Sequence, residues 1–143
     1  VEQFRMAGVA ERCLVDDVGT SMESSFAKAR SEFQRLGIPL DGHMVSVYTK
    51  FGMKAGTFDY ISGYVIPDHV SIPSDSQLKV WNTPSSKAFH VAHLGSYEHL
   101  GNGWSIANAH VRGQRLKQCR GGTYEVYRTV PPTPQSQLLT DIY

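Results

Sequence analysis

The sequence contains no apolar run near the roughly 20 residues that a membrane-spanning helix needs, and Val1–Val15 lacks the continuous apolar stretch of a secretory signal. With a formal net charge of only +1, the chain has no general attraction to nucleic acid or acidic lipid. It has no low-complexity tract, and an apolar share of 41% beside a charged share of 19% is typical of a globular protein. A length of 143 residues suits a single domain, 1–143.

Motifs for disulfides, metals and nucleophilic catalysis are also missing. The two cysteines, Cys13 and Cys119, lie far apart without a CxxC pattern, which argues against a disulfide framework and favours a reducing cytoplasm. There is no HExxH motif, and His90 and His93 would point to opposite faces of a strand. No nucleophile elbow occurs. We therefore expect no metal and no cofactor, and we assign no catalytic residue.

Two amphipathic helices are predicted from apolar stripes whose members recur at spacings of three and four residues. The first stripe consists of Met22, Phe26, Ala29, Phe33 and Leu36. Thr20 and Glu23 at its start fit a capping box, and Gly37 after it is a typical helix terminator. The second stripe consists of Tyr97, Leu100, Trp104, Ala107 and Val111. This second helix is predicted to begin after Gly95 and to end at Gly113.

Seven strands are predicted from runs rich in valine, tyrosine and other β-forming residues between turn signals. They cover Gln3–Val15, Met44–Lys50, Thr57–Ile66, Leu78–Asn82, Lys87–Leu94, Tyr124–Val130 and Leu138–Tyr143. With the helices they form a strand–helix–strand–strand unit twice, in pseudo-repeats of about 1–67 and 78–143. We predict an α+β fold in which the duplicated units form an antiparallel sheet with two helices on one face. The groove between two such helices is a natural pocket.

A faint echo of the duplication occurs in the sequence itself. Val47-Tyr48 is followed, sixteen residues after the tyrosine, by Tyr64. Val126-Tyr127 is followed at the same distance by Tyr143. This echo supports the two-fold repetition of the element order.

Glu125 is unusual because it is a carboxylate inside a strongly apolar and aromatic strand segment, Tyr124–Tyr127. In an exposed position it would solubilise one face of the sheet, as most glutamates do. If it faces the groove instead, it is an uncompensated carboxylate among aromatic rings. Such a group favours a cation, and aromatic walls add cation–π attraction.

Three motifs follow one another in the second half: His-Val-Ala-His-Leu-Gly-Ser-Tyr at 90–97, Tyr-Glu-Val-Tyr at 124–127, and Pro-Pro-Thr-Pro with Leu-Leu-Thr-Asp-Ile-Tyr between 131 and 143. They resemble the His-x-Gly-x-Tyr turn, the Glu-x-Tyr strand and the closing strand of the gyrase-inhibitor-like, or effector-binding, domain family. That family includes effector domains of AraC- and MerR-type bacterial transcription regulators and free-standing proteins. The first half is similar through its element order and Ser46-Val47-Tyr48.

The resemblance implies a duplicated α+β fold and a groove that binds a small aromatic or cationic molecule. In multidrug-sensing members, a glutamate that matches Glu125 lies in an aromatic pocket for lipophilic cations. On this basis Glu125 would supply charge, and Ser46 would occupy its symmetric counterpart. The expected walls are Tyr48, Tyr127 and Trp104, and the expected apolar floor includes Phe26 and Phe33.

Two other functions are compatible with the resemblance. A gyrase-inhibiting type of protein-interaction module would use a surface outside the groove, and a groove filled by its own side chains would favour it. Some relatives hydrolyse small molecules, and Glu125 could act as a general base on a water beside Tyr127. A protein partner or a homodimer is compatible with either. Direct nucleic-acid binding is not expected, because 143 residues leave no room for a DNA-binding domain unless the chain is a fragment.

The sequence also predicts where a ligand would reach the groove. Gly101 and Gly103 weaken the start of the second helix, because each glycine costs about 1 kcal/mol within a helix. We therefore expect the Gly95–Gly103 region, rather than the first helix, to admit the ligand. Trp104 at its edge could cover the pocket and move aside.

Overall fold

In the computed structural model, residues 1–52, 54–118 and 121–143 are described, and they form seven strands and two α-helices. The strands are β1 (Arg5–Leu14), β2 (Met44–Gly52), β3 (Thr57–Ile66), β4 (Leu78–Asn82), β5 (Val91–Leu94), β6 (Thr123–Tyr127) and β7 (Leu139–Ile142). The helices are α1 (Val18–Leu36) and α2 (Leu100–Gly113). Cys119, part of the expectation about disulfides, lies outside the described residues.

All seven strands belong to one antiparallel sheet in the order β4-β1-β3-β2-β6-β7-β5. Each half of the chain contributes a three-stranded block, β1-β3-β2 or β5-β7-β6, and the blocks meet where β2 pairs with β6. The predicted α+β fold with duplicated strand–helix–strand–strand units is therefore confirmed.

Both helices lie on one face of the sheet, as predicted. The ring of Phe26 in α1 lies 5.6 Å from that of Tyr127 in β6. Gly103 in α2 lies against the side chain of Ile142 in β7. Because Glu125 pairs with Ile142, and Tyr127 follows Glu125 by two residues, these strand positions share one face.

The sheet has an apolar cluster on each face, because alternate strand residues point in opposite directions. The helix-side cluster is buried beneath α1 and includes Ala29, Phe33 and Tyr64. The cluster on the opposite face contains Met6, Val45, Val47, Tyr124 and Val126. Each strand residue in these two clusters therefore lies either on the helix side of the sheet or on the opposite face.

The junction between β2 and β6 has a nearly two-fold register. Ser46 pairs with Glu125, Tyr48 with Thr123, and Met44 with Tyr127. Ser46 and Glu125 therefore lie opposite each other at the centre of the junction.

The outer registers of the two halves differ by one residue. Ser46 pairs with Ser62 across β2 and β3, whereas Glu125 pairs with Ile142 across β6 and β7. As a result Tyr64 contacts Phe33 on the helix side, whereas Tyr143 stacks on Tyr124 on the opposite face. The repetition of Tyr64 by Tyr143 in the sequence is thus not a structural equivalence, because a shift of one residue reverses the face.

The start of α1 differs from the prediction. Thr20 lies inside the helix, which begins at Val18 directly after a 3-10 turn, Val15–Asp17, and no side chain caps it. The predicted capping box is therefore wrong: the 3-10 turn already leads the backbone into the helix before Thr20. The C-terminal prediction is confirmed, because Gly37 adopts a left-handed conformation with φ 67°.

Four strands are shorter than predicted, and β1 and β7 lose one or two residues at each end. β5 begins at Val91 instead of Lys87, and it pairs with β7 only as far as Leu94. β6 ends at Tyr127 instead of Val130. The ladder ends there because the backbone N–H groups of Arg128 and Thr129 both donate hydrogen bonds to the carbonyl of Leu139.

Candidate functional site

Glu125 lies at the centre of β6 and faces the two helices. Its neighbours Tyr124 and Val126 belong to the cluster on the opposite face. The residue is only 1% exposed. Of the two placements compatible with the sequence, the structure therefore shows the buried one.

Three neutral side chains donate hydrogen bonds to the Glu125 carboxylate. The Tyr48 hydroxyl donates to Oε1 at 3.1 Å, and the Tyr127 hydroxyl donates to Oε2 at 2.6 Å. The indole Nε1–H of Trp104 also donates to Oε1. Among residues 1–52, 54–118 and 121–143, no lysine, arginine or histidine forms an ion pair with Glu125. The carboxylate is solvated by dipoles and lacks a countercharge.

The electrostatics of the site follow from this burial. Desolvation raises the pKa of Glu125, and the bonds from Tyr127, Trp104 and Tyr48 offset part of that effect. Burial, and then the nearby carboxylate, raises the pKa of the Tyr48 and Tyr127 phenols. Both phenols therefore remain donors. His93 is close enough that its positive charge would lower the pKa of Glu125.

Aromatic rings surround the carboxylate in edge-to-face contacts. The rings of Tyr48 and Trp104 lie 5.3 Å apart at 85°. The ring of Tyr127 meets those of Phe26 at 5.6 Å and Tyr97 at 5.5 Å. Such contacts fix the orientation of each ring and make a rigid apolar lining around the carboxylate.

The structure brings most of the expected site residues together around Glu125. Tyr48, Tyr127 and Trp104 touch the carboxylate, and Phe26 touches Tyr127. Phe33 lies elsewhere: its ring packs on Tyr64, 5.3 Å away, in the core beneath α1. Ser46 lies beside Glu125 in the register, and its hydroxyl is 2.7 Å from that of Ser62.

Three residues that the sequence analysis did not assign to the site lie close to it. The Tyr97 ring packs on Tyr127 and is 37% exposed, which places it between the site and solvent. Met22 Sδ lies 3.8 Å from the Tyr127 hydroxyl. His93 interacts electrostatically with Glu125. Tyr97 and Met22 belong to the two helix stripes, so aligning those stripes with β6 could have identified them.

The groove around Glu125 is filled by its own aromatic side chains. Two open clefts of about 330 and 450 Å³ occur elsewhere, and Glu125 lines neither of them. A ligand can therefore reach the carboxylate only if a side chain such as Trp104 moves.

α2 is the less buried of the two helices. Among its residues only Gly103 is fully buried, whereas α1 buries Met22, Ser25, Phe26, Ala29, Glu32 and Phe33. Gly103 allows this close approach, because a Cβ there would lie 2.6 Å from Ile142 Cδ1. Gly101 is exposed, and a Cβ there would meet no atom within 4 Å. The two glycines thus have different roles: Gly103 is a packing contact, and only Gly101 is free of tertiary constraint.

Two features are absent from the described residues. No group of histidine, cysteine, aspartate and glutamate within 1–52, 54–118 and 121–143 is arranged to hold a metal ion. In the same ranges no helix has both the length and the apolar character needed to cross a membrane.

The sequence matches no protein-family model and no curated protein. Its fold, however, is similar to several solved structures. A cryo-EM structure of an EcmrR–DNA complex has a TM-score of 0.77 at 14% identity, over 99% of this chain and 53% of that one. The chain thus spans about half the length of that EcmrR chain. The crystal structure of the EcmrR C-terminal domain has a TM-score of 0.73 at 15% identity, over 99% of this chain and 91% of that one.

Two further similarities involve other proteins. SAV2435 bound to tetraphenylphosphonium has a TM-score of 0.67 at 11% identity, over 99% of this chain and 87% of that one. A hydrolase encoded by lin2189 from Listeria innocua has a TM-score of 0.56 at 14% identity, over 99% and 86% of the two chains. At these identities the similarities establish a shared fold. That fold agrees with the resemblance to effector-binding domains found in the sequence.

Proposed function

We propose that this protein binds a lipophilic organic cation in the groove between α1 and α2, with Glu125 as the countercharge. The observation that carries the proposal is the Glu125 carboxylate, which is 1% exposed and, within the described residues, receives hydrogen bonds only from neutral groups. Burying an unpaired charge is costly, and a bound cation would relieve that cost. The rings of Tyr48, Tyr127 and Trp104 would add cation–π attraction, with Phe26 in contact behind Tyr127.

Proton release would accompany binding. Burial raises the pKa of Glu125 in the free protein, and a cation beside the carboxylate would lower it. Calorimetry in buffers of different ionisation enthalpy measures the number of protons released. A cation should release protons from the protein, whereas a neutral ligand of similar shape should not.

The comparison with SAV2435 supports this ligand class, because that protein has the same fold and was solved with tetraphenylphosphonium, a lipophilic cation. A thermal-shift titration with tetraphenylphosphonium is therefore the first experiment, and triphenylphosphine oxide is the neutral control. Wild type should be stabilised by the cation more than by the neutral compound. Glu125→Gln should remove that preference.

Glu23→Gln provides a matched control, because Glu23 is an exposed glutamate on α1 outside the site. It should retain the wild-type preference. An equal response of Glu125→Gln and Glu23→Gln to the cation would show that Glu125 does not bind it.

The closed groove also favours a second candidate, a protein-interaction module that uses a surface outside the groove. In that case the aromatic side chains around Glu125 would simply form a core. Trp104→Phe distinguishes the two functions. Removal of the indole N–H should alter cation binding if the groove is the site, and should leave the response to tetraphenylphosphonium unchanged if it is not.

A hydrolytic function is the third candidate, favoured by the shared fold with the Listeria innocua hydrolase. Glu125 would act as a general base on a water that replaces one of its three donors. Mass spectrometry of ligands recovered after long incubation tests this possibility. Hydrolysis that is lost in Glu125→Gln would support catalysis, and intact ligand throughout would support binding alone.

A further inference from the structure

A second cleft, of about 450 Å³, opens between the C-terminal half of α1 and the adjoining ends of β2 and β6. We call it the basic cleft, because Arg30, Arg128 and His43 line it. None of its described lining residues is an aspartate or a glutamate. Its charge is thus opposite to that of the Glu125 site, and Glu125 does not line it.

Arg30 carries the charge that is available to a ligand. Its Nε donates a long hydrogen bond of 3.4 Å to the Tyr64 hydroxyl. No carboxylate within the described parts of the chain lies at ion-pair distance from it. Within those parts the hydrogen bond to Tyr64 uses Nε alone. The two terminal nitrogens can therefore donate to a ligand, in the fork geometry that suits a carboxylate.

The Arg128 guanidinium is directed to the opposite face of the sheet, where Asp141 and Tyr143 lie. Its Nε donates to Asp141 Oδ2 at 2.6 Å, and its Nη2 donates to the Tyr143 hydroxyl at 3.3 Å. These bonds fix the guanidinium, although Asp141 compensates its charge. Arg128 is thus neutralised on the opposite face, and Arg30 is the uncompensated cation of the cleft.

The remaining surface of the cleft is mainly apolar. Leu40, Met44 and Val130 line it together with the phenol rings of Tyr64 and Tyr127. A ligand that fits such a site has one anionic group for Arg30 and a flat or branched apolar body for the walls.

We infer that the basic cleft is a second ligand site, which binds aromatic carboxylates independently of the cation site at Glu125. The two sites are neighbours, because the ring of Tyr127 lines the cleft while its hydroxyl binds Glu125. Their opposite charges give them opposite ligand selectivity.

The test uses 2-naphthoate and its neutral analogue 2-naphthamide, which differ only in the charged group. Amide chemical shifts of ¹⁵N-labelled protein report both the affinity and the location of binding. In wild type, 2-naphthoate should bind more tightly than 2-naphthamide. It should shift the amides of Arg30, Gln34 and Leu40, which line this cleft but not the 330 Å³ cleft. Arg30→Gln should weaken 2-naphthoate binding by about tenfold, because the charged hydrogen bonds from the guanidinium to the carboxylate are lost.

Arg112→Gln is the matched control, because Arg112 is an exposed arginine on α2 outside the cleft. It changes the net charge equally and should leave 2-naphthoate affinity unchanged. Arg30→Lys keeps the charge and should retain part of the affinity. Arg30→Gln should keep the wild-type response to tetraphenylphosphonium, so failure at the cation site is distinguishable from failure here.

Three results would overturn the inference. The first is equal affinity for 2-naphthoate and 2-naphthamide, which would mean that the cleft recognises only the apolar body. The second is an equal effect of Arg30→Gln and Arg112→Gln, which would indicate general charge attraction. The third is a set of shifted amides on the opposite face of the sheet, around Phe4 and Tyr124, where the 330 Å³ cleft lies.

Discussion

Replacement of Gly101 by alanine tests whether α2 must open for a ligand to reach Glu125. Gly101 is the second residue of α2, is exposed, and has no neighbouring atom within 4 Å of an added Cβ. The substitution therefore changes helix propensity without changing a contact. Three residues further on, Trp104 binds Glu125, so a more stable α2 should keep the indole over the carboxylate for longer.

The magnitude follows from the cost of glycine in a helix. Alanine should stabilise the helical state of α2 by about 0.5–1 kcal/mol. If the ligand binds only to the open state, the population of that state and the association rate constant should both fall by about two- to fivefold, since about 1.4 kcal/mol corresponds to a factor of ten. The equilibrium affinity should fall by the same factor if the bound protein remains open, and by less if α2 closes again.

Gly19→Ala in α1 is a closely matched control. Gly19 is also the second residue of its helix, follows a 3-10 turn, is exposed and has open space around an added Cβ. It should stabilise α1 by a similar amount. Because α1 is held by a large buried stripe, the rate of ligand association should not change.

The assay is stopped-flow fluorescence of Trp104 on mixing with tetraphenylphosphonium. Trp81→Phe removes the other tryptophan, which lies on the opposite face beside Phe4 and Tyr124. Hydrogen exchange of the α2 amides gives the opening free energy independently. Equal association rates in Gly101→Ala and Gly19→Ala, alongside slower exchange in α2 of the former, would refute the opening of α2 as the route.

Three further predictions concern stability. Gly103→Ala should lower the free energy of unfolding by about 1–3 kcal/mol in chemical denaturation, because the added methyl group would overpack against buried Ile142. An unchanged free energy of unfolding would mean that α2 can shift away from the sheet. Glu125→Gln should raise Tm relative to wild type above pH 4.5, because burial raises the pKa of Glu125 and disfavours its charged form. The difference in Tm should grow as the pH rises through that pKa. A difference that does not depend on pH would contradict this reasoning. Glu32→Gln should lower Tm at neutral pH, because a hydrogen bond from Arg35 is the main cause that lowers the pKa of Glu32 to about 2. Calorimetry should show the difference in Tm vanishing as the pH falls from 4.5 towards 2. A difference that persists at pH 2 would exclude this cause.

The helical stripes predicted both helices but not where α2 begins. Tyr97 lies in a 3-10 turn, Tyr97–His99, and α2 starts at Leu100. A period of 3.6 residues determines which side chains share a surface, and Phe26 and Trp104 accordingly both reach the site. The burial of each helix was not predictable in this way. The second stripe is only half-buried, because contact with the sheet depends on Gly103, and no periodicity reveals what that glycine touches.

The candidate site was predictable to the extent that it depends on strand alternation. Glu125 and Tyr127 are two residues apart in one strand, so they had to share a face. The ring of Phe33, expected in the floor of the groove, packs on Tyr64, whereas the ring of Phe26 reaches Tyr127. The place of Phe33 in the first stripe predicts burial, but the position along α1 at which the helix passes β6 depends on tertiary packing, and Phe33 lies beyond that point against Tyr64.

The one-residue difference in register explains why the carboxylate belongs to the second half alone. In the first half, Ser46 pairs with Ser62, and their hydroxyls satisfy each other at 2.7 Å. In the second half, Glu125 pairs with Ile142, whose side chain cannot form a hydrogen bond. Glu125 must therefore find its donors elsewhere: Tyr48 comes from β2 of the other half, and Trp104 comes from α2. Neither half alone contains all the groups that donate hydrogen bonds to the carboxylate, so the site requires the junction between β2 and β6. A substitution that separates these two strands should therefore abolish ligand binding before it unfolds either helix.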